Sequence, residues 1–144
     1  MRILVVNGPN LNLLGKRDPA LYGTTTLWDI ETNLKAKFPD IQFVFFQSNS
    51  EGALIDQIHT AVDGAFDGVV VNPGAYGHYS YALRDALAAL TTPVVEVHIS
   101  NIHAREEFRR HSVIAPVCRG MITGLGATGY ELAVQFFVDA KSRH

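Results

Sequence analysis

The sequence predicts an α/β protein: a doubly wound, five-stranded parallel sheet held between helices in three layers. Three observations carry that prediction. Five short runs rich in Val, Ile and Phe recur along the chain, each bounded by turn-forming residues, as strands buried on both faces require. Helical periods lie between the runs, so that each strand can cross over to a parallel neighbour. Apolar residues make up 47% of the 144 and charged residues 18%, which supplies a core and excludes a disordered chain.

Taken in order, the first strand is "RILVV" at 2–6. After it comes "NGPNLNLLGKRDPALYG", residues 7–23, with no helical period. Connections in α/β units are normally a few residues long, and one of this length is either a functional lid or disordered. Its Arg17 and Tyr22 between Gly15 and Gly23 read as part of a lid over about 15–23, with the glycines as hinges and Lys16 as a solvated charge. A helix over 26–38 aligns Leu27, Ile30, Leu34 and Phe38 on one face, with Thr25 or Thr26 as N-cap. Strand two is "IQFVFFQ" at 41–47. The helix at 51–66 carries Leu54, Ile55, Ile58 and Val62 behind Ser50 as cap. Strand three is "GVVVN" at 68–72, followed by a helix at 81–90, and strand four is "PVVEVHI" at 93–99. A short helical turn is expected in "AREEFRR", 104–110, before strand five at 120–126 and a last helix at 128–142. No repeat, low-complexity segment or linker interrupts this pattern. One catalytic domain over 1–144, of flavodoxin-like layout, is the expectation. Ligands in such sheets bind beyond the carboxyl ends of the strands, where the strand order switches.

The bulk numbers narrow the function. With a net charge of −2 and no basic stripe, nucleic acid is not an expected partner. Cys118 is the only cysteine, so there is no internal disulfide, which suits a reducing cytosol. The five-residue apolar run at the amino end meets Asn and Pro, too short for a signal peptide or a membrane span. A cytoplasmic protein without membrane attachment is expected.

The predicted strand ends gather polar side chains. They are Asn7 and Asn10 after the first strand, Gln47, Ser48 and Asn49 after the second, and Asn72, Tyr76, His78 and Ser80 after the third. The fourth adds Glu96, His98, Ser100, Asn101 and His103. Singly these are ordinary turn formers; amides and imidazoles converging on one sheet edge point to a site. Glu96 and His98 lie two apart on a strand and so share a face. Both are costly in a buried strand unless they satisfy one another. A carboxylate beside an imidazole orients it and favours its protonated form, which suits a general acid. The residues alone leave a structural ion pair equally open. The histidines at 98, 103 and 111 match no metal-ligand spacing, and His59 and His144 read as surface and terminal residues. "GLGATG" at 124–129 fits a dinucleotide-binding pattern, but no strand and acidic residue follow it at the needed distance. It reads as a tight turn that lets the last helix pack closely. In the long loop, Arg17 near Tyr22 can favour a phenolate, a possible base in a site that closure dries.

Together "NGPNLNLLGKRDPALYG", "NPGAYGHYS", "EVHISNIHAREEFRRHS" and "GLGATGYELA" resemble the motif set of the type II 3-dehydroquinate dehydratases, nearly end to end and at that family's spacing. The resemblance implies anti elimination of water from 3-dehydroquinate to 3-dehydroshikimate through an enolate-like intermediate, with no metal and no cofactor. It implies Tyr22 as the base at C2, Arg17 as the lid residue that lowers its pKa, and His98 as the acid at the C1 hydroxyl. It implies Asn10 as holder of a water on the enolate oxygen and Glu96 as support. Asn72, Ile99 and Ser100 would bind the carboxylate, the latter two through backbone N–H groups, and His78 and Arg109 the ring hydroxyls. A homododecamer of four trimers is implied, with Asp85 reaching a neighbouring subunit's site. Gly77 and Tyr79 depart from the family's usual Thr. None of the four lysines, at 16, 35, 37 and 141, is a buried strand residue suited to Schiff-base chemistry. Two other readings compete. A binding or signalling module on the same scaffold is disfavoured, because the ends of strands one and three hold Asn where a receiver domain needs acids. An enzyme for another cyclic hydroxy-ketone is the other.

Overall fold

The structure, a computed structural model, describes residues 1–143, with the side chains of Leu21 and Tyr22 outside the described set. The expectations placed on the Tyr22 side chain and on His144 therefore lie outside the described residues. Strands β1 (Arg2–Asn7), β2 (Gln42–Gln47), β3 (Gly68–Asn72), β4 (Val94–His98) and β5 (Gly120–Thr123) form one parallel sheet in the order β2-β1-β3-β4-β5. Val5 stands beside Phe45 on one side and Val70 on the other, and Val71 stands beside Glu96. The doubly wound architecture expected from the sequence is present, with its switch in strand order between β1 and β3.

The helices are α1 (Pro19–Tyr22), α2 (Leu27–Lys37), α3 (Glu51–His59), α4 (Tyr81–Ala88) and α5 (Thr128–Ser142). Alternation along each strand divides the core in two. Ile3, Val5, Val70, Val95 and Val97 pack with Ile30 and Leu34 of α2 and Tyr130, Val134 and Phe137 of α5. Leu4, Val6, Val69, Val71 and Val94 pack with Leu54 and Ile58 of α3 and Leu83 and Leu87 of α4. β2 is only half-buried because it forms an edge. Among the described residues no helix is long and apolar enough to cross a membrane.

Local chemistry sets the boundaries. Thr26 caps α2 in a reciprocal capping box with Asp29, and Ser50 accepts from the Ala53 N–H to cap α3. α3 stops seven residues short of the expected 66. Its chain tightens into i→i−3 bonds, Thr60 N–H and hydroxyl to the Gln57 carbonyl and Ala61 N–H to Ile58, and then turns at Gly64 with φ +75°. Val62 is exposed as a result. β5 ends at Thr123, since Gly124 and Gly126 take φ of +87° and +62°. That turn brings Gly129 against Val97, where a Cβ would lie 3.2 Å from Cγ1, the close packing expected of "GLGATG". The expected turn at 104–110 is two 3-10 turns, Ile102–Ala104 and Glu107–Arg110.

The loop after β1 contains structure that periodicity missed: a 3-10 turn at Leu11–Leu13 and the one-turn helix α1. Pro19 at its first position is pre-set for the helix, but one turn is too short to display a 3.6-residue period. The proposed hinge residues Gly15 and Gly23 have φ of +86° and +74°. A Cβ on Gly15 would stand 2.9 Å from the Thr24 carbonyl oxygen and from Thr26 Cγ2.

Candidate active site

The carboxyl ends of β1, β3 and β4 meet around one cleft. Its floor depends on a close crossing: Gly8 N–H donates to the Asn72 carbonyl at 2.8 Å, and a Cβ there would lie 2.4 Å from the Pro73 oxygen. Of the residues singled out from the sequence, Asn10, Arg17, Asn72, His78, His98, Ile99, Ser100 and Arg109 line this cleft. Arg105, Leu11, Leu14 and Ile102 line it as well, and it encloses about 660 Å³ of empty space, the solvent at its mouth included.

The wall carries Arg17, Arg105 and Arg109 and no acidic side chain, so the cleft suits an anionic ligand. Arg109 Nε donates to Glu106 at 2.7 Å, and Arg105 Nη1 to the Ser100 hydroxyl at 3.3 Å. Beneath the wall, Glu96 is fully buried on β4 and its Oε2 is 2.5 Å from His98 Nε2. The pair anticipated from "EVHIS" is therefore formed. The Ser112 hydroxyl donates to the same carboxylate, 2.8 Å from each oxygen.

His78 stacks near His98, ring centroids 6.0 Å apart. Burial, more than any other influence, holds the His78 imidazole below its ordinary pKa, partly offset by its bond to His111. Nδ1 lies 2.9 Å from the His111 carbonyl oxygen, which can only accept. The Nδ1 proton is thereby fixed, and in the neutral ring Nε2 is left as an acceptor.

Asn72 is fixed by the Gly74 N–H and by Tyr130 of α5. Its Oδ1 accepts from the Gly74 N–H at 3.2 Å, so its Nδ2 donates to the Tyr130 hydroxyl at 2.9 Å. That hydroxyl in turn donates to Asn7 Oδ1 at 2.6 Å. Burial pushes the Tyr130 phenol above its ordinary range, so it stays a donor.

Other candidates lie elsewhere. Asn7 serves the buried chain just described. Asn49 and Tyr76 tie the rim, with the Asn10 N–H on Asn49 Oδ1 at 2.9 Å and the Tyr76 hydroxyl on the Asn49 carbonyl at 2.7 Å. Ser80 caps α4 and donates to Glu51. Asn101 accepts from the His103 N–H. Asp85 is exposed on α4 and does not line the cleft of its own chain. Among the described residues no three His, Cys, Asp or Glu side chains group as metal ligands. Sequence reasoning missed Arg105, placed only in the short helical turn expected over 104–110, and Ser112 and Tyr130, whose partners lie 16 and 58 to 123 residues away.

Comparison with known proteins agrees with this geometry. The chain is 63% identical over 138 residues to a 3-dehydroquinate dehydratase of Bacillus pumilus (strain SAFR-032), covering 94% of this chain and 93% of that protein. It is 58% identical to the 3-dehydroquinate dehydratase of Bacillus subtilis (strain 168), with 94% and 93% covered. The crystal structure of type II dehydroquinase from Butyrivibrio crossotus DSM 2876 superposes with a TM-score of 0.90 at 49% identity, over 95% of this chain and 97% of that one. Residues 1–138 match the model of the family Dehydroquinase class II, and the chain belongs to that family.

Proposed function

We propose that this chain is a type II 3-dehydroquinate dehydratase, a lyase that removes water from 3-dehydroquinate to give 3-dehydroshikimate, and that 1–144 form one catalytic domain. The observation that carries the reading is the cleft itself. A buried Glu96–His98 pair lies under a wall rich in arginine and free of acids. The segment bearing Arg17, between two positive-φ glycines, lines the same cleft.

In this reading the Tyr22 phenolate, favoured by Arg17, takes the proton from C2 and leaves an enolate. A water held by Asn10 stabilises the enolate oxygen. His98, oriented by Glu96, gives its proton to the C1 hydroxyl on the opposite face, and the C–O bond breaks to release water. Asn72 and the backbone N–H groups of Ile99 and Ser100 bind the carboxylate; His78 and Arg109 bind ring hydroxyls. No metal, cofactor or lysine enters. Acid and base on separate elements suit anti elimination, and the missing acidic wall residues suit the substrate's carboxylate. The finer assignments, a cytoplasmic location and a homododecamer in which Asp85 serves a neighbour's cleft, belong to the same proposal. Exposed Trp28, Tyr81 and Phe108 are surfaces that such an assembly would cover.

The test is ultraviolet absorbance of the protein with 3-dehydroquinate, because the product is a conjugated enone and the substrate is not. Absorbance should rise, and the rise should survive both a chelator and borohydride treatment. Tyr22→Phe and Arg17→Ala should each abolish it in protein that keeps its circular dichroism. Turnover near the wild-type rate in either variant would sink the assigned roles, and no rise with the wild-type chain would sink the activity.

A further inference from the structure

We propose that Ser112 is a positioning residue of the acid group, its hydroxyl holding the Glu96 carboxylate in the orientation that His98 needs. The inference rests on the reading of His98 as the acid. Ser112 Oγ lies 3.0 Å from the Ala115 nitrogen and 2.8 Å from both Glu96 oxygens. An N–H can only donate, so Oγ accepts from Ala115 and its single proton is left for Glu96. The direction of the hydrogen bond is thus set by the backbone and not by the carboxylate.

Glu96 has no exposure, and a buried carboxylate needs donors. Among the described residues its hydrogen-bond partners are His98, through Nε2, and Ser112. A hydroxyl on the carboxylate draws off part of its negative charge. Removing the hydroxyl leaves a more basic carboxylate on Nε2, which raises the ring's hold on the proton at its other nitrogen, the one delivered to substrate. The other charged or titratable groups around the pair are His78 beside His98, Cys118, which lies in the field of Glu96, and Arg17, Arg105 and Arg109 on the cleft wall. None of them is altered by changes at 112.

A purely structural role is the rival account. Ser112 also caps the 3-10 turn Ala115–Val117, and that role affects stability alone. The assigned role makes different demands on Ser112→Ala and Ser112→Thr. In Ser112→Ala, kcat on 3-dehydroquinate should fall roughly ten-fold, the scale of one lost hydrogen bond to a charged group, while KM changes less than about two-fold. The alkaline limb of its pH–kcat profile, where the acid loses its proton, should move to higher pH. Ring-proton NMR of His98 without substrate should titrate later by a similar interval. Ser112→Thr, which keeps the hydroxyl, should restore all three readings.

A folded Ser112→Ala with wild-type kcat and an unmoved His98 titration overturns the proposal and leaves Ser112 a cap. If Ser112→Ala does not fold, Ser112→Cys, nearly isosteric with a weak S–H donor, takes its place under the same criteria. A wild-type chain that fails to turn over 3-dehydroquinate refutes the functional reading instead, and the NMR titration still decides the Ser112–Glu96–His98 link.

Discussion

Tyr130→Phe removes one oxygen from the middle of the protein and keeps the ring that fills its place. Tyr130 has no exposure, and Asn7 and Asn72 are 1% and 3% exposed. The change leaves Asn7 Oδ1 without its donor and Asn72 Nδ2 without its acceptor. Each stranded buried group costs about 1–3 kcal/mol. Asn72 borders the cleft and can turn to water, whereas Asn7 cannot, so the net expectation is about 2–4 kcal/mol. With a urea m-value of about 2 kcal/mol/M, the midpoint should drop by about 1–2 M with m unchanged. The assay is equilibrium unfolding followed by circular dichroism, at one protomer concentration for both proteins, because any assembly adds a mass-action contribution. KM for 3-dehydroquinate should rise more than kcat falls, since Asn72 loses its anchor. A loss below about 1 kcal/mol would refute the reasoning, for it would mean that the buried amides do not depend on the phenol.

Two further outcomes are expected. Gly15→Ala places a Cβ 2.9 Å from the Thr24 oxygen at φ +86°. It should lower kcat/KM several-fold through the lid while hydrogen exchange in β1 and β3 is unchanged, and slowed or quickened exchange in those strands would place the effect in the core instead. The Cys118 thiol is pushed up to about 12, first by burial and then by the charge of Glu96. A thiol that resists ionisation only when folded stabilises fully below its unfolded pKa near ~8.5. That stabilisation fades as pH rises towards the folded value. Urea stability should therefore fall more steeply between about pH 9 and 11 in the wild type than in Cys118→Ala, and parallel slopes would contradict the shift.

Periodicity made the sheet legible because a strand buried on both faces is largely apolar, as β1 and β3 are between their ends and β4 is apart from Glu96 and His98. It failed where structure is shorter than its own period, as in α1, or where a helix unwinds by local bonding, as after His59. The cleft was legible as far as residues lie at strand ends, since topology alone carries Asn72, His98 and Ser100 there. Glu96 was legible from its two-residue spacing to His98. Ser112 and Tyr130 were not, because a hydroxyl acquires its meaning from the group it meets, and that meeting is made by packing between distant segments. Tyr22 was legible as a possible base from its neighbour Arg17, its role at C2 came from the resemblance, and its side chain lies outside the described residues.

The order of the sheet also bears on how the protein is made. β1 is hydrogen-bonded on both edges, to strands 40 and 65 residues further on at Arg2↔Gln42 and Ile3↔Gly68. Its unpaired edges must therefore wait, during synthesis, for two later segments to emerge, and such long-range parallel pairing is intrinsically slow. After β3 docks, β4 and β5 each add to the open edge in sequence order. A nascent chain whose first roughly 90 residues have emerged would then have Asn10 and Asn72 in place around a half-built cleft, while the Glu96–His98 pair and the edge strand β5 were still to come. Up to that point the nascent β3 edge is exposed, and chaperone contact is expected to be concentrated there.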